Sequence, residues 1–385
     1  MAPRRSEEVA MTRRNRKGGR GLFVGVLPLV ATLVLVACGG TTSPSNSLKP
    51  QTKLIVGAIH VGSVKDAGYN QAQHDGIMAM QKAIPGVKVI EAENVPEGPD
   101  VVRVMQNMIG QGATMLFPQS FGYMDFGLQV AKSNPGVFVE HPAGYKLSNN
   151  FGTYWAASDQ VDYALGIAAA MTSKTGKLGF VGAMPIPTVL ASAIAFHQGA
   201  RSVNPHTTTT VIFNGSWSDP GKEAAATNTL ADKGVDVVAC LVDSPITVVK
   251  TAEARHIYAI GYHSAAAAKY APNYWLSGVA FDWSSMFTTM ANNVINGTWK
   301  SQMLIAPASS GVAYLAPFGP KVPSSAQAAA TKAYSEFKSG VRTSAFMGPI
   351  YDQSGKLRVA KGKYLTPQDE QNVYWLAQGM IGKTK

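Results

Sequence analysis

Cysteine is nearly missing from this chain. Of 385 residues only Cys38 and Cys240 carry a thiol, so a scaffold stapled by several disulfides is excluded. Cys240 lies in the apolar run VDVVACLV and reads as a small buried hydrophobe, not a reactive thiol. Charge is scarce as well, at 15% of residues against 46% hydrophobic, which excludes a largely disordered chain. There is no HExxH and no CxxC, and the seven histidines form no metal-site pattern; neither a metal nor a cofactor is expected. There is no GxSxG elbow either. Ser120 in PQSFG stands outside any such motif, so the sequence points to no serine nucleophile of that kind.

What is present begins with a basic and then apolar N-terminus. Arg4, Arg5, Arg13, Arg14, Arg16, Lys17 and Arg20 precede an uncharged run from Gly21 to Ala37. That order is a secretory signal, with Met11 as an alternative start. Pro28 and the shortness of the run argue against a membrane span, which needs roughly 20 apolar residues. The run ends Leu35-Val36-Ala37-Cys38-Gly39, which resembles the lipobox of bacterial lipoproteins. The resemblance implies cleavage before Cys38 and lipidation of that residue, and so an extracytoplasmic protein lipid-anchored to the cell membrane. Residues 1–37 are then a signal peptide, and residues 38–52, rich in Ser, Thr and Pro, a flexible linker. Residues 1–37 hold seven bases and two acids, so the net charge falls from +11 to +6 once they are gone. No basic run survives, and nucleic acid is not an expected partner.

From Lys53 onward, apolar runs alternate with stretches of helical spacing. KLIVGAIH, VKVIEAENV, ATMLFPQS and GVFVEHPAG read as strands separated by helices, and a second round starts near Asp159. This predicts an α/β protein with two Rossmann-like lobes, mainly parallel sheets and a hinge crossed more than once. The lobes are expected at 53–155 with about 280–310, and at 156–279. Residues 311–385 would complete the hinge and lobes, ending in a helix over TPQDEQNVYWLAQGM. In open sheets of this kind ligands sit beyond the carboxyl ends of the strands. The loop from Val61 to Gln71 is therefore a candidate ligand loop, with Tyr69 and Asn70 on it.

Several segments in order, KDAGYNQAQHDG, HPAGYK, SKTGKLGFVGAMPIP, SVNPHTTTTVIFNGSWSDPGKEAAA, GVDVVACLVDSP, IGYHS and FMGPIYDQSGKL, carry a wider likeness. With them the chain resembles the solute-binding lipoproteins of the basic membrane protein family, which serve ABC importers. The resemblance implies a type I periplasmic-binding-protein fold, a purine nucleobase or nucleoside as ligand, and permease subunits as partners of a monomer. Carried over to this sequence, Tyr69 would stack on one face of the purine, followed by Asn70. Trp217 would supply the second aromatic and Asp243 would accept ligand N–H groups. His263 stands where nucleoside-binding members have a ribose-binding aspartate. Phe281, Asp282 and Trp283 stand where those members carry a lysine. These departures favour a flat base over a full nucleoside. His141, Asp282 and Trp283 complete the candidate set. Six of the candidates have a structural alternative: Tyr69 covering the first turn of its helix, Asn70 or Asp243 capping a helix, Trp283 packing in the core, His141 and His263 as ordinary satisfied histidines. The rival functions are a nucleoside-processing enzyme using Asp66, Asp243 and Asp282, and a ligand sensor for a membrane receptor.

Overall fold

The structure, a computed structural model, describes residues 53–384. The expected signal peptide, the linker and Cys38 lie outside the described residues. KLIVGAIH forms strand β1 (Ile55–His60), buried almost throughout because both sheet faces are covered by helices. Helix α1 (Tyr69–Ala83) follows and buries Ala72, Gln73, Gly76, Ile77 and Met80, one face at helical spacing. The next units are β2 (Lys88–Ala92), α2 (Asp100–Gly110), β3 (Met115–Gln119), α3 (Met124–Ser133), β4 (Phe138–Pro142) and β5 (Phe151–Ala156). The chain then builds α4 (Ser158–Thr172), β6 (Lys177–Gly182), α5 (Pro187–Val203), β7 (Thr208–Phe213), α6 (Pro220–Asp232) and β8 (Val237–Leu241). After these come α7 (Ile246–Ala254), β9 (Tyr258–Gly261), β10 (Trp275–Phe281), α8 (Ser284–Ile295), β11 (Met303–Ala306) and β12 (Ala313–Leu315).

Two sheets result. The first has the order β11-β5-β4-β3-β1-β2, all parallel; the second runs β12-β10-β9-β8-β6-β7 and is joined at its far edge by β15 (Met380–Ile381). Only the β10–β12 pair of the two sheets is antiparallel. The chain passes between lobes three times, after β5, after β10 and between β11 and β12, which is the multi-crossing hinge expected. The helix after Trp283 returns to the first lobe and lies against α1, where Gly76 leaves room for Trp283 and Phe287. In the second lobe α4 and α5 cross closely: a Cβ on Gly166 would stand 1.9 Å from the Phe196 carbonyl oxygen.

The C-terminal end departs from expectation. After α9 (Ser324–Lys338) comes a hairpin of β13 (Ile350–Tyr351) and β14 (Leu357–Val359), closed around the Asp352 carboxylate. The helix expected over TPQDEQNVYWLAQGM is a single turn, α10 (Pro367–Glu370). Thr366 and Asp369 form a capping box that starts it, but no apolar stripe of helical period continues it. Val373, Leu376 and Ala377 are buried one by one from irregular chain, and β15 then pairs with β7.

One core acid makes a stability prediction. Glu140 on β4 is buried, accepts a hydrogen bond from Trp299 Nε1 at 2.6 Å, and is pushed up to about 8 by that burial. Its folded pKa lies above the unfolded value, so its contribution is full below the unfolded pKa and is lost as pH rises through about 8. Glu140→Gln keeps the acceptor and removes the titration. Melting curves from pH 5 to pH 9 should show the variant gaining on the parent by several degrees as pH rises. A constant gap would mean that Glu140 is already ionised at pH 5.

Candidate functional site

The loop after β1 is held from inside. The Asp66 carboxylate accepts the backbone N–H groups of Gly68, Asn70 and Gln71 at 2.8–3.0 Å. It therefore does the work of an N-cap for α1, the role that sequence alone offered to Asn70. The Asn70 amide is spent within the same loop: Nδ2 donates to Asp66 and Oδ1 accepts from Gly62 N–H. Asn70 thus braces the loop, and Tyr69 is left as its face toward the second lobe.

The second lobe meets that face with two loops. Tyr69 N–H donates to the Asp243 carbonyl oxygen at 2.7 Å, so the first amide of α1 is satisfied by the opposite lobe. Asp243 N–H donates to the Trp217 carbonyl oxygen at 2.8 Å, which ties the loop after β7 to the loop after β8. Ser244 Oγ donates to the Asp66 carbonyl oxygen at 2.9 Å. The rings meet as well. Tyr69 stands edge-on to His263 with centroids 5.1 Å apart, and Phe121 faces Trp217 at 6.5 Å. Gly68 lies hard against the second lobe: a Cβ there would lie 1.9 Å from the Asp243 carbonyl oxygen. Ala67, Ala143 and His263, at φ +52°, +53° and +72°, hold left-handed backbone in the loops of this cleft. Strain of this kind persists where the surrounding structure enforces it, commonly at ligand sites.

Between these loops is a cavity lined by Tyr69, Phe121, Trp155 and Trp217, with Ile186, Val189 and Leu241 as aliphatic wall. About 410 Å³ of free space, open solvent included, borders this lining. Its polar groups are few. Burial pushes the Asp243 carboxyl up, reinforced by Asp66, Glu97 and Glu223, so it favours the protonated form. Burial lowers His263 to about 3, so its ring is neutral at physiological pH, with one nitrogen to donate and one to accept. His263 Nε2 and the Trp155 indole N–H are buried without a hydrogen-bond partner. Such groups are costly to leave unmade, and a ligand with complementary edge atoms would relieve the cost. Ser120 is already committed, donating to Glu97 at 2.6 Å.

The structure thus brings Tyr69, Trp217, Asp243 and His263 together around one cavity; Asn70 borders the adjoining part of the cleft with Trp217 and Asp243, and the other candidates lie elsewhere. Asp282 is exposed and accepts from Ser284 N–H, fixing the start of α8. Trp283 is buried behind the cavity in a ring column, stacked on Phe281 at 5.0 Å and 6° and on Phe287 at 5.8 Å and 8°. His141 is buried beside Phe151, its rings 5.8 Å apart, and is lowered to about 4 by burial. Of the three aspartates offered for catalysis, Asp66 and Asp243 border the same part of the cleft, and Asp282 does not join them. Sequence reasoning missed Phe121, Trp155 and the start of α5. The one signal for Phe121 and Trp155 was an aromatic residue at or just beyond the carboxyl end of a strand.

Two α/β lobes joined by three crossings, whose apposed loops enclose an aromatic cavity, define a two-lobed solute-binding protein. The comparisons with known proteins agree. The chain belongs to the Bmp family, described as PnrA-like ABC transporter substrate-binding proteins, whose model matches residues 53–334. A purine-binding protein of Brucella abortus is 36% identical over 329 residues, covering 85% of this chain and 91% of the relative. The ABC transporter nucleoside-binding protein BmpA of Lactococcus lactis is 25% identical over 232 residues, covering 57% of this chain and 64% of the relative. Among solved structures, an ABC transporter solute-binding protein from Conexibacter woesei superposes with a TM-score of 0.62 at 20% identity. It covers 75% of this chain and 97% of that one, a likeness of fold. The family is extracytoplasmic, with a small-molecule ligand and permease subunits as the partners that membership implies. Among the described residues no helix is long and apolar enough to cross a membrane.

Proposed function

We propose that this protein closes on a flat purine-type nucleobase and delivers it unchanged to its permease, as a monomer anchored by lipid on Cys38. The observation that carries the base over the nucleoside is the ring column behind His263. Phe281 stacks on His263 at 5.7 Å and on Trp283 at 5.0 Å. Those positions are where nucleoside-binding members are expected to present polar sugar partners. Phe281 and Trp283 offer a ribose no polar group and neutral His263 stands in place of a carboxylate, and desolvated hydroxyls without partners lower affinity. Tyr69 and Trp217 supply faces for a base from the two lobes, and the Asp243 carboxyl and neutral His263 supply edge partners. The purine-binding relative supports the ligand class. A role without catalysis is supported by the separation of Asp282 from the Asp66 and Asp243 pair and by relatives named as binding proteins.

Calorimetric titration with adenine, guanine, hypoxanthine, uracil, their nucleosides and simple sugars tests this reading. The expected result is a purine base bound at least about tenfold more tightly than its nucleoside, consistent with the cost of burying one or two sugar hydroxyls without partners. Tighter binding of the nucleoside would move the sugar back into the site. Binding of sugars alone would remove the purine class. Release of free base from a nucleoside by the purified protein would favour the enzymatic rival.

A further inference from the structure

Outside the cleft, two imidazoles and a carboxylate converge from three elements of the first lobe. His60 is the last residue of β1 and fully buried, His74 lies on α1, and Glu91 lies on β2. His60 Nε2 is 2.8 Å from Glu91 Oε1, and His74 Nδ1 is 3.0 Å from both Glu91 oxygens. One donor atom from each residue lies within 4.8 Å of the others. We propose that His60, His74 and Glu91 form a binding site for a divalent transition-metal ion of the zinc type.

The donor set selects the ion. Two imidazole nitrogens and one carboxylate oxygen suit Zn²⁺, which takes four ligands and would complete its shell here with water. Calcium prefers six to eight oxygen ligands and magnesium an octahedron of oxygens, so this set suits neither. Tetrahedral bonds of about 2.0–2.2 Å place neighbouring donor atoms roughly 3.3 Å apart. The two nitrogen–carboxylate separations are a few tenths of an ångström shorter. His74 and Glu91, at 26% and 22% side-chain exposure, can give that distance by rotation, while buried His60 is the fixed point. Their partial exposure also gives the ion a way in from solvent. Both rings can bind as neutral imidazoles, each keeping its proton on the nitrogen turned away from the ion.

The position gives the ion a structural consequence. His60 immediately precedes the loop that carries Tyr69, and its carbonyl oxygen accepts Val95 N–H at 3.1 Å. An ion would pin β1, α1 and β2 together beneath that loop and stabilise the first lobe by mass action. The competing account is a hydrogen-bonded triad in which Glu91 accepts an N–H from each ring. That account predicts no metal uptake.

The test uses the full-length protein, expressed without a histidine tag and stripped by chelator, then titrated with Zn²⁺ and separately with Co²⁺. The expected results are one equivalent of Zn²⁺ per chain, a raised melting temperature, and visible Co²⁺ bands of tetrahedral intensity. His74→Ala and Glu91→Gln should each weaken Zn²⁺ binding at least tenfold, while His206→Ala, at an exposed position away from these elements, should not. Melting of the stripped variants checks that they fold. No uptake by the parent protein, or parental affinity in either His74→Ala or Glu91→Gln, would overturn the proposal.

Discussion

Gly68→Ala lowers ligand affinity on the order of 100-fold or more, because it prevents the lobes from meeting. In the closed arrangement the α-carbon of Gly68 lies against the second lobe. An added Cβ would sit 1.9 Å from the Asp243 carbonyl oxygen and 2.7 Å from Pro245 Cδ. The first of these atoms is backbone, held in place because Asp243 N–H is bonded to Trp217 and its carbonyl to Tyr69 N–H. No rotation of a flexible side chain relieves that clash. The ligand is then left with an arrangement that offers one wall, and apparent affinity falls with the fraction of molecules able to close. Each lobe has its own sheet, and Gly68 lies on a loop outside both, so the melting temperature of the ligand-free variant should change little. Calorimetry gives the affinity, and small-angle scattering should show that added ligand no longer compacts the variant. Parental affinity in Gly68→Ala would mean that binding does not require this closure.

Trp217→Ala is the second large effect. The indole is half-buried, lines the cavity and faces Phe121 across the lobes at 6.5 Å. Stacking of a base on an aromatic ring is worth about 1–3 kcal/mol by alanine substitution, or roughly 5- to 150-fold in affinity. The hydrogen bond from Asp243 N–H goes to the backbone of Trp217, so alanine leaves the loop tie in place. Trp217→Phe should recover part of the loss, since a smaller ring still offers a face. Equal affinity in the parent and Trp217→Ala would remove this ring from contact with the ligand.

The order of strands and helices was legible in sequence because apolar runs and helical spacing are local properties of the chain. So was the position of the cleft, since loops at the carboxyl ends of parallel strands are where ligands sit. Tyr69 was read on such a loop, Trp217, Asp243 and His263 were implied by the family resemblance, and all four line the cavity. What sequence could not tell was which groups were already spoken for. Asn70 bonds its own loop, Asp282 fixes the start of α8, and Trp283 is covered by Phe281 and Phe287. Each would be a sound ligand group if it were free.

Residues that matter through distant partners were equally hidden. Phe121 and Trp155 become cavity wall only when the lobes are apposed. His60 and His74 lie 31 and 17 residues from Glu91, so no local spacing motif reveals the cluster. The final segment misled for a related reason. Its apolar residues are buried singly against the second lobe, and a strand pairing with β7, far back in the sequence, replaces helix.

The most direct test of the clamp is a crystal structure of the protein bound to its tightest-binding purine base. The base should lie between the lobes, in contact with the rings of Tyr69 and Trp217, with an edge atom within hydrogen-bond distance of the Asp243 carboxyl. A base seated elsewhere on the protein, or held by one lobe alone, would contradict the account.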